Sequence, residues 1–274
     1  MGLTGGTAAE ARARFRSAYA EQRASEGRGA GGIEELMALP YLRSGPQAPQ
    51  WAVRARSFDR LVEAIVKPLG RALQRPLRVL DLGAGNGWLC HRLMLLGHRA
   101  IALDVRVDDV DGLGAARHYA SRLPRLFGRV AASFDAVPLP DATFDIAVFN
   151  ASLHYAVDPR AALAEAARVV APGGRVVVLD SPVYRREADG MAMVREKHRT
   201  ASLHFGERAS ALLALPFIEF LTAERLREAG APSGLEWRRL RVAYPLRYEI
   251  RPLVARLRGR RPPSRFDLWM AVRP

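Results

Sequence analysis

The sequence is poor in several things at once. It holds one cysteine, Cys90, in 274 residues, which excludes internal disulfides and every cysteine-rich zinc pattern and fits a reducing compartment. No stretch approaches the roughly 18 consecutive apolar residues of a membrane-spanning helix. The opening "MGLTGGTAAEARARF" has no apolar run of the kind export signals carry, so a cytoplasmic protein is the expectation. The six histidines show no H-x-x-x-H pairing, and no zinc site is expected. "DDVDG" at 108–112 has a calcium-loop look, but Val107 stands where a ligand should precede it and no glutamate follows at the needed distance. Lysine is almost missing: of 42 basic residues only Lys67 and Lys197 are lysines, so the net charge of +14 looks like compositional arginine richness and is weak evidence for a polyanionic partner. The excess is C-terminal, with eleven arginines in residues 238–274 against Glu249 and Asp267.

What is present suffices for a sizeable core, with 49% hydrophobic residues in a chain of one-domain length plus a helical annex. Residues 1–75 read as helical. Thr7 and Glu10 form a capping box ahead of a helix with Phe15 and Tyr19 on one face, and Phe58, Leu61, Val62, Ile65, Val66, Leu69 and Leu73 make a long apolar stripe. From Arg78 the pattern changes to short apolar runs at 78–82, 99–104, 129–133, 145–149 and 175–180, with room between them for crossover helices, which predicts a parallel α/β sheet. Asp158 and Pro159 start one helix as N-cap and first residue, and "PGG" at 172–174 ends it. "LEWRRLRV" and "RFDLWMAV" alternate like a half-buried strand pair.

"VLDLGAGNGWL", residues 79–89, sets glycines at every second position behind an apolar run. Glycine there allows positive φ and close approach of a ligand to the backbone. A dinucleotide fingerprint, G-x-G-x-x-G, would need its third glycine at Trp88. The pattern is instead Asp81, Gly83, Gly85, Gly87. This resembles motif I of the class I S-adenosylmethionine (SAM)-dependent methyltransferases. Asp104, 17 residues after Gly87 at the end of the second strand, "VPLPDATFDIAVFNASLHY" and "EAARVVAPGGRVVVLD" resemble further segments of that family in the right order over about residues 78–180. The nearest likeness is to the group containing quinone-biosynthesis C-methyltransferases and many small-molecule enzymes.

The resemblance implies a Rossmann-like α/β fold, a mostly parallel sheet with a reversed last strand, spanning 76–274, with residues 1–75 as an N-terminal helical segment that caps the substrate. It implies SAM as cofactor, held by Asp81, Gly83, Ala84, Gly85, Gly87 and Asp104. Asp81 would attract the cofactor's ammonium group directly or through water, and Asp104 would accept from the ribose hydroxyls. Where relatives carry an adenine-binding aspartate this chain has Ser133, followed by Phe134 and Asp135. Either the Ser133 hydroxyl takes the adenine amino group with the Phe134 amide on the ring nitrogen, or Asp135 takes over. Asn150 faces the cofactor or orients its loop.

For chemistry, His154 in "NASLHY" is the candidate base, with pocket wall as its alternative role, and Tyr155 borders the acceptor. The stretch 182–216 is read as a lid in which Tyr184, Arg185 and His198 are substrate candidates, beside Arg186, Arg195 and His204; arginines there either clamp an anionic group or stay solvated. Cys90 is read as core. Three functions follow: methylation of a small, partly apolar acceptor at O, N or C; methylation of RNA, with the basic C-terminus on the backbone; or SAM binding without turnover. The first leads, because no RNA-binding module or aromatic-rich basic face is appended. In "YEIRPLVARLRGRRPP", Ile250, Leu253, Val254 and Leu257 share a helical face beside Arg251, Arg256, Arg258, Arg260 and Arg261. That face either packs on the domain or docks on an anionic membrane. Oligomeric state is not legible.

Overall fold

The computed structural model describes residue 17, residues 32–205 and residues 217–274. The capping box and the helix expected around Phe15 and Tyr19 lie outside the described residues, as does the lid beyond 205.

A seven-stranded sheet forms the centre: β1 (Arg78–Leu82), β2 (Arg99–Asp104), β3 (Gly128–Ala131), β4 (Phe144–Asn150), β5 (Val170–Leu179), β6 (Glu236–Leu240) and β7 (Leu268–Val272), in the order β3-β2-β1-β4-β5-β7-β6. Neighbours among the first five pair in parallel, while β7 runs antiparallel to both β5 and β6. β4 is buried at every residue, as a central strand covered on both faces must be. Its Asp145 accepts two hydrogen bonds from the Arg75 guanidinium (2.7 and 2.8 Å) and one from the Arg78 amide (2.7 Å). The Phe-Asp opening of that strand therefore fastens β4 to the start of β1.

The helices are α1 (Gly32–Ala38), α2 (Ala48–Leu61), α3 (Lys67–Leu73), α4 (Trp88–Leu95), α5 (Pro159–Val169), α6 (Glu187–Phe205), α7 (Ala223–Gly230), α8 (Leu246–Glu249) and α9 (Arg251–Leu257). α2 and α3 are one continuous helix whose middle turn, Val62–Val66, widens so that the Lys67 amide donates to Val62 O. Pro68 follows at once and has no N–H to give, so a widened turn costs little there. The expected stripe packs inward through Val66, Leu69 still touches the core in part, and Leu73 is exposed.

Asp158 caps α5, accepting from the Arg160 and Ala161 amides. That helix already ends at Val169, and the Pro-Gly-Gly sits inside the opening of β5, where the pairing shifts between Phe144 and Ile146. Cys90 is fully buried. Among the described residues no helix is long and apolar enough to cross a membrane, and no cluster of potential metal ligands occurs.

Candidate functional site

In an open parallel sheet, ligands settle outside the carboxyl ends of the strands where the strand order reverses. Here that point lies between β1 and β4. A cleft of about 380 Å³ opens there, floored by the turn after β1 and bounded by Asp104, Ser133, Phe134, Asp135 and Asn150.

The three glycines of the turn all have positive φ, 80° at Gly83, 54° at Gly85 and 76° at Gly87. They are needed for different reasons. A Cβ on Gly83 would lie 2.4 Å from Ser152 Cβ, and one on Gly87 would strike the Phe127 ring at 2.7 Å. At Gly85 a Cβ would meet only Asp111 O at 3.4 Å, so its free side faces the cleft as an open cradle. Gly83 and Gly87 serve the protein's own packing; Gly85 leaves room for a ligand.

Asp104 braces this cradle. Its Oδ2 accepts from the Gly85 amide (2.7 Å) and its Oδ1 from the Arg106 amide (2.8 Å). Burial raises its pKa, opposed by those two amides. Arg106 is paired with Asp108 and Asp111, which keeps its charge engaged at the cleft wall. Asp104, Asp111 and Asp135 border the cleft against Arg54 and Arg106, a balance of three carboxylates to two guanidiniums that leaves a slight acidic excess.

Asp81 is fully buried beneath the turn, with one oxygen unpartnered and the other 4.0 Å from the Cys90 thiol. Burial, then the Asp104 charge, pushes its pKa well up. It is not among the residues that border the cleft. Ala84, Ser133, Phe134 and Asp135 all border the cleft, as does Asn150, whose buried amide oxygen has no partner.

Sequence reasoning read residues 1–75 as a helical cap but named no site residue on α2. Trp51 meets Trp88 edge-on at 5.7 Å, and both border the cleft, with Arg54 one turn further along. Arg92 of α4 secures the preceding segment by donating to the carbonyls of Met37, Ala38 and Leu39. No local pattern marks Trp51 or Arg54, which reach the site only through tertiary packing.

A second cavity of about 730 Å³ adjoins the cleft and shares Arg54, Ala151 and Tyr155 with it. Its other walls include His154, Asp180, Tyr248, Arg251 and Phe266. His154 Nδ1 lies 3.2 Å from the Ser181 hydroxyl, and the ring sits against Tyr155 with centroids 4.3 Å apart. Burial, with the Lys197 and Arg54 charges, drives its pKa down to about 3, so it is a neutral imidazole at physiological pH.

The expected lid residues stand elsewhere. Tyr184 is buried against Phe220, its hydroxyl accepting from Arg261 (3.1 Å). Arg185 and His198 are exposed. None of the three borders the cleft or the adjoining cavity. Arg54, Arg247 and Arg251 are the arginines there, supplied by α2 and by the C-terminal segment.

Residues 80–178 match the family model described as a methyltransferase domain. A malonyl-[acyl-carrier protein] O-methyltransferase of Hahella chejuensis is 29% identical over 199 residues, which are 69% of this chain and 63% of that protein. Residues 80–178 are thus a methyltransferase domain, and the sheet order is that of the class I SAM-dependent fold. The chain spans less than two thirds of the length of the first curated relatives it matches. In fold it is similar to a Burkholderia thailandensis 1,6-didemethyltoxoflavin-N1-methyltransferase solved with its substrate and S-adenosylhomocysteine (TM-score 0.54, 19% identity, 100% of this chain and 93% of that one). It is equally similar to the [4+2]-cyclase SpnF (TM-score 0.55, 20% identity, 80% and 81% covered). One fold thus carries different chemistries, and the acceptor has to be argued from the residues.

The cleft fits this family's cofactor. The Gly85 cradle admits a ligand against the backbone, the slight acidic excess suits a sulfonium and an ammonium, and the unpartnered Asn150 oxygen offers an acceptor to the ligand.

Proposed function

We propose that the protein binds SAM in the cleft and transfers its methyl group to a small, partly apolar acceptor, at O, N or C, held in the adjoining cavity. The observation that carries this reading is the shared wall: Arg54, Ala151 and Tyr155 border both spaces, so two ligands would meet there. When bound, the cofactor supplies an activated methyl group. The residues around the two spaces have to hold an acceptor in line with it and keep water out, and such positioning supplies roughly 7 to 11 kcal/mol in well-oriented systems. Gly85, Asp104, Asn150 and the Ser133–Asp135 stretch hold the cofactor, Tyr155 borders the acceptor, and α2 caps both through Trp51 and Arg54.

The RNA reading is weaker. Several C-terminal arginines are engaged internally: Arg239 with Asp267, Arg265 with Glu249, Arg261 with Glu196. Those three are neutralised within the protein, which leaves less of the basic excess for phosphates. Calorimetry and a labelling screen test the proposal. SAM is expected to bind and NAD not to, and methyl-labelled SAM is expected to mark members of a small-molecule pool. Tighter binding of NAD than of SAM overturns it, and salt-sensitive labelling of RNA alone moves the function to the nucleic-acid reading.

A further inference from the structure

Asp180 follows β5 directly and takes a left-handed conformation, φ 54°, just as Ala151 does after β4 at φ 56°. Both turns deliver their residues to the acceptor cavity. Asp180 is 6% exposed, yet neither of its carboxyl oxygens has a hydrogen-bond partner of good geometry. The Tyr248 hydroxyl in the same cavity is also buried and unpartnered. The Arg54 charge and the nearby Ser57 hydroxyl offset the cost of burying this carboxylate only in part, so its natural complement is a donor on a ligand. The other titratable or charged groups facing this space are Arg54 from α2, His154 and Tyr155 after β4, and Arg247 and Arg251 from the C-terminal segment, while Ser57 and Tyr244 lie behind it beside Asp180. Ser57 and Tyr244 engage each other at 3.0 Å.

We infer that Asp180 is the general base of the reaction and that the acceptor is a neutral, ring-bearing molecule with an ionisable O–H or N–H, a phenol or N–H heteroaromatic rather than a carboxylate. This rests on the methyl-transfer reading and adds the substrate class to it. The acceptor heteroatom forms its bond to the methyl carbon while the carbon–sulfur bond breaks toward sulfur, leaving a neutral thioether. The proton on the heteroatom passes to the Asp180 carboxylate. One positive and one negative charge disappear together, so a pocket that withholds water from the carboxylate favours the step. The walls suit a flat ring: Tyr155, Tyr248 and Phe266 line the cavity together with Pro49, Pro182 and Pro245. A carboxylate acceptor needs no base and would meet the Asp180 charge at close range.

Asp180 is also the stronger base of the two candidates. Burial raises its pKa to about 6, against the pull of Arg54 and the Ser57 hydroxyl, whereas His154 is held at about 3. Asp180→Asn tests this, since asparagine also tolerates the left-handed conformation. The full chain would be given methyl-labelled SAM with phenols, N–H heteroaromatics and, as the carboxylate arm, a malonyl thioester. The parent is expected to label protic members only, with kcat rising as pH climbs through about 6. Asp180→Asn should lower kcat at least about a hundredfold and erase that limb, SAM affinity by calorimetry staying within about twofold, while His154→Ala falls less than about tenfold. An infrared carboxyl band that titrates near pH 6 in the parent and is missing from Asp180→Asn gives a readout without turnover. Labelling of the malonyl thioester alone, of no protic member, or an Asp180→Asn loss below tenfold overturns the base. If the parent itself fails to bind SAM, the failure lies with the methyl-transfer reading.

Discussion

Ser152, two residues past β4, closes over Gly83 so tightly that a Cβ on the glycine would lie 2.4 Å from the serine Cβ, while the serine hydroxyl donates to Leu82 O at 2.5 Å. The turn after β1 and the turn after β4 are thus one packed unit beneath the cleft. Gly83→Ala should therefore be a folding lesion, combining left-handed strain of about 1 to 2 kcal/mol with an overpacking cost of about 1 to 3. Gly85→Ala, which meets no clash, should cost only the strain term yet weaken SAM binding at least about tenfold. Thermal melts and calorimetry on the two variants check this, and the reverse ranking would remove the ligand role of Gly85.

Asp104→Ala withdraws both carboxyl oxygens from the Gly85 and Arg106 amides and leaves the cradle unbraced. With charge-assisted hydrogen bonds worth roughly 1.5 to 3 kcal/mol, SAM affinity should fall about tenfold to a hundredfold. Equal binding by variant and parent, measured by calorimetry, would mean that Asp104 only shapes the loop.

The sheet and the glycine cleft were legible because their signals are local. Apolar runs, the Asp158 cap and the spacing from Gly87 to Asp104 each lie within one βα unit, where chain geometry leaves few choices. The acceptor end was not. Ser57, Asp180 and Tyr244 meet across more than 60 residues of chain, through packing that no periodicity encodes. The stretch after β5 was read as the source of substrate contacts, but Tyr184 is engaged by Arg261 and Phe220, and the arginines at the cavity come from α2 and the C-terminal segment.

Asp180 also governs a pH effect on stability. Its folded pKa of about 6 lies above its ordinary value of 3.8, so between those pH values the folded state holds a proton that the unfolded chain has released. Stability contributed by this group is fully present below about pH 4 and is lost as pH rises through 6, a penalty of about 3 kcal/mol at neutral pH. Asp180→Asn should accordingly melt higher than the parent at pH 7 to 8, with the gain vanishing near pH 4. Melting curves across that range decide it, and a constant offset at all pH values would assign the effect to packing.

The C-terminal segment leads to the last expectation. Of the face Ile250, Leu253, Val254 and Leu257, Val254 is half-buried, whereas Ile250, Leu253 and Leu257 are 43%, 58% and 78% exposed, and Leu246 beside them is 76% exposed. Arg251 and Arg261 are engaged inward, with Ser264 and with Glu196 and Tyr184, whereas Arg247, Arg256, Arg258 and Arg260 are exposed around the leucines. Apolar side chains ringed by arginines match an anionic bilayer surface in both chemistry and charge, and Arg247 also borders the acceptor cavity, which would place its mouth near a membrane-stored, apolar acceptor. At about 1 kcal/mol per basic residue near such a surface, four arginines contribute roughly 4 kcal/mol before screening by salt. Sedimentation with anionic and neutral vesicles at low and high salt tests the docking. The parent should pellet with anionic vesicles only, less at high salt, and a variant with Arg247, Arg256, Arg258 and Arg260 changed to Ser should stay in solution while binding SAM as the parent does. Equal sedimentation of both proteins, or of neither, would leave this face without a membrane role.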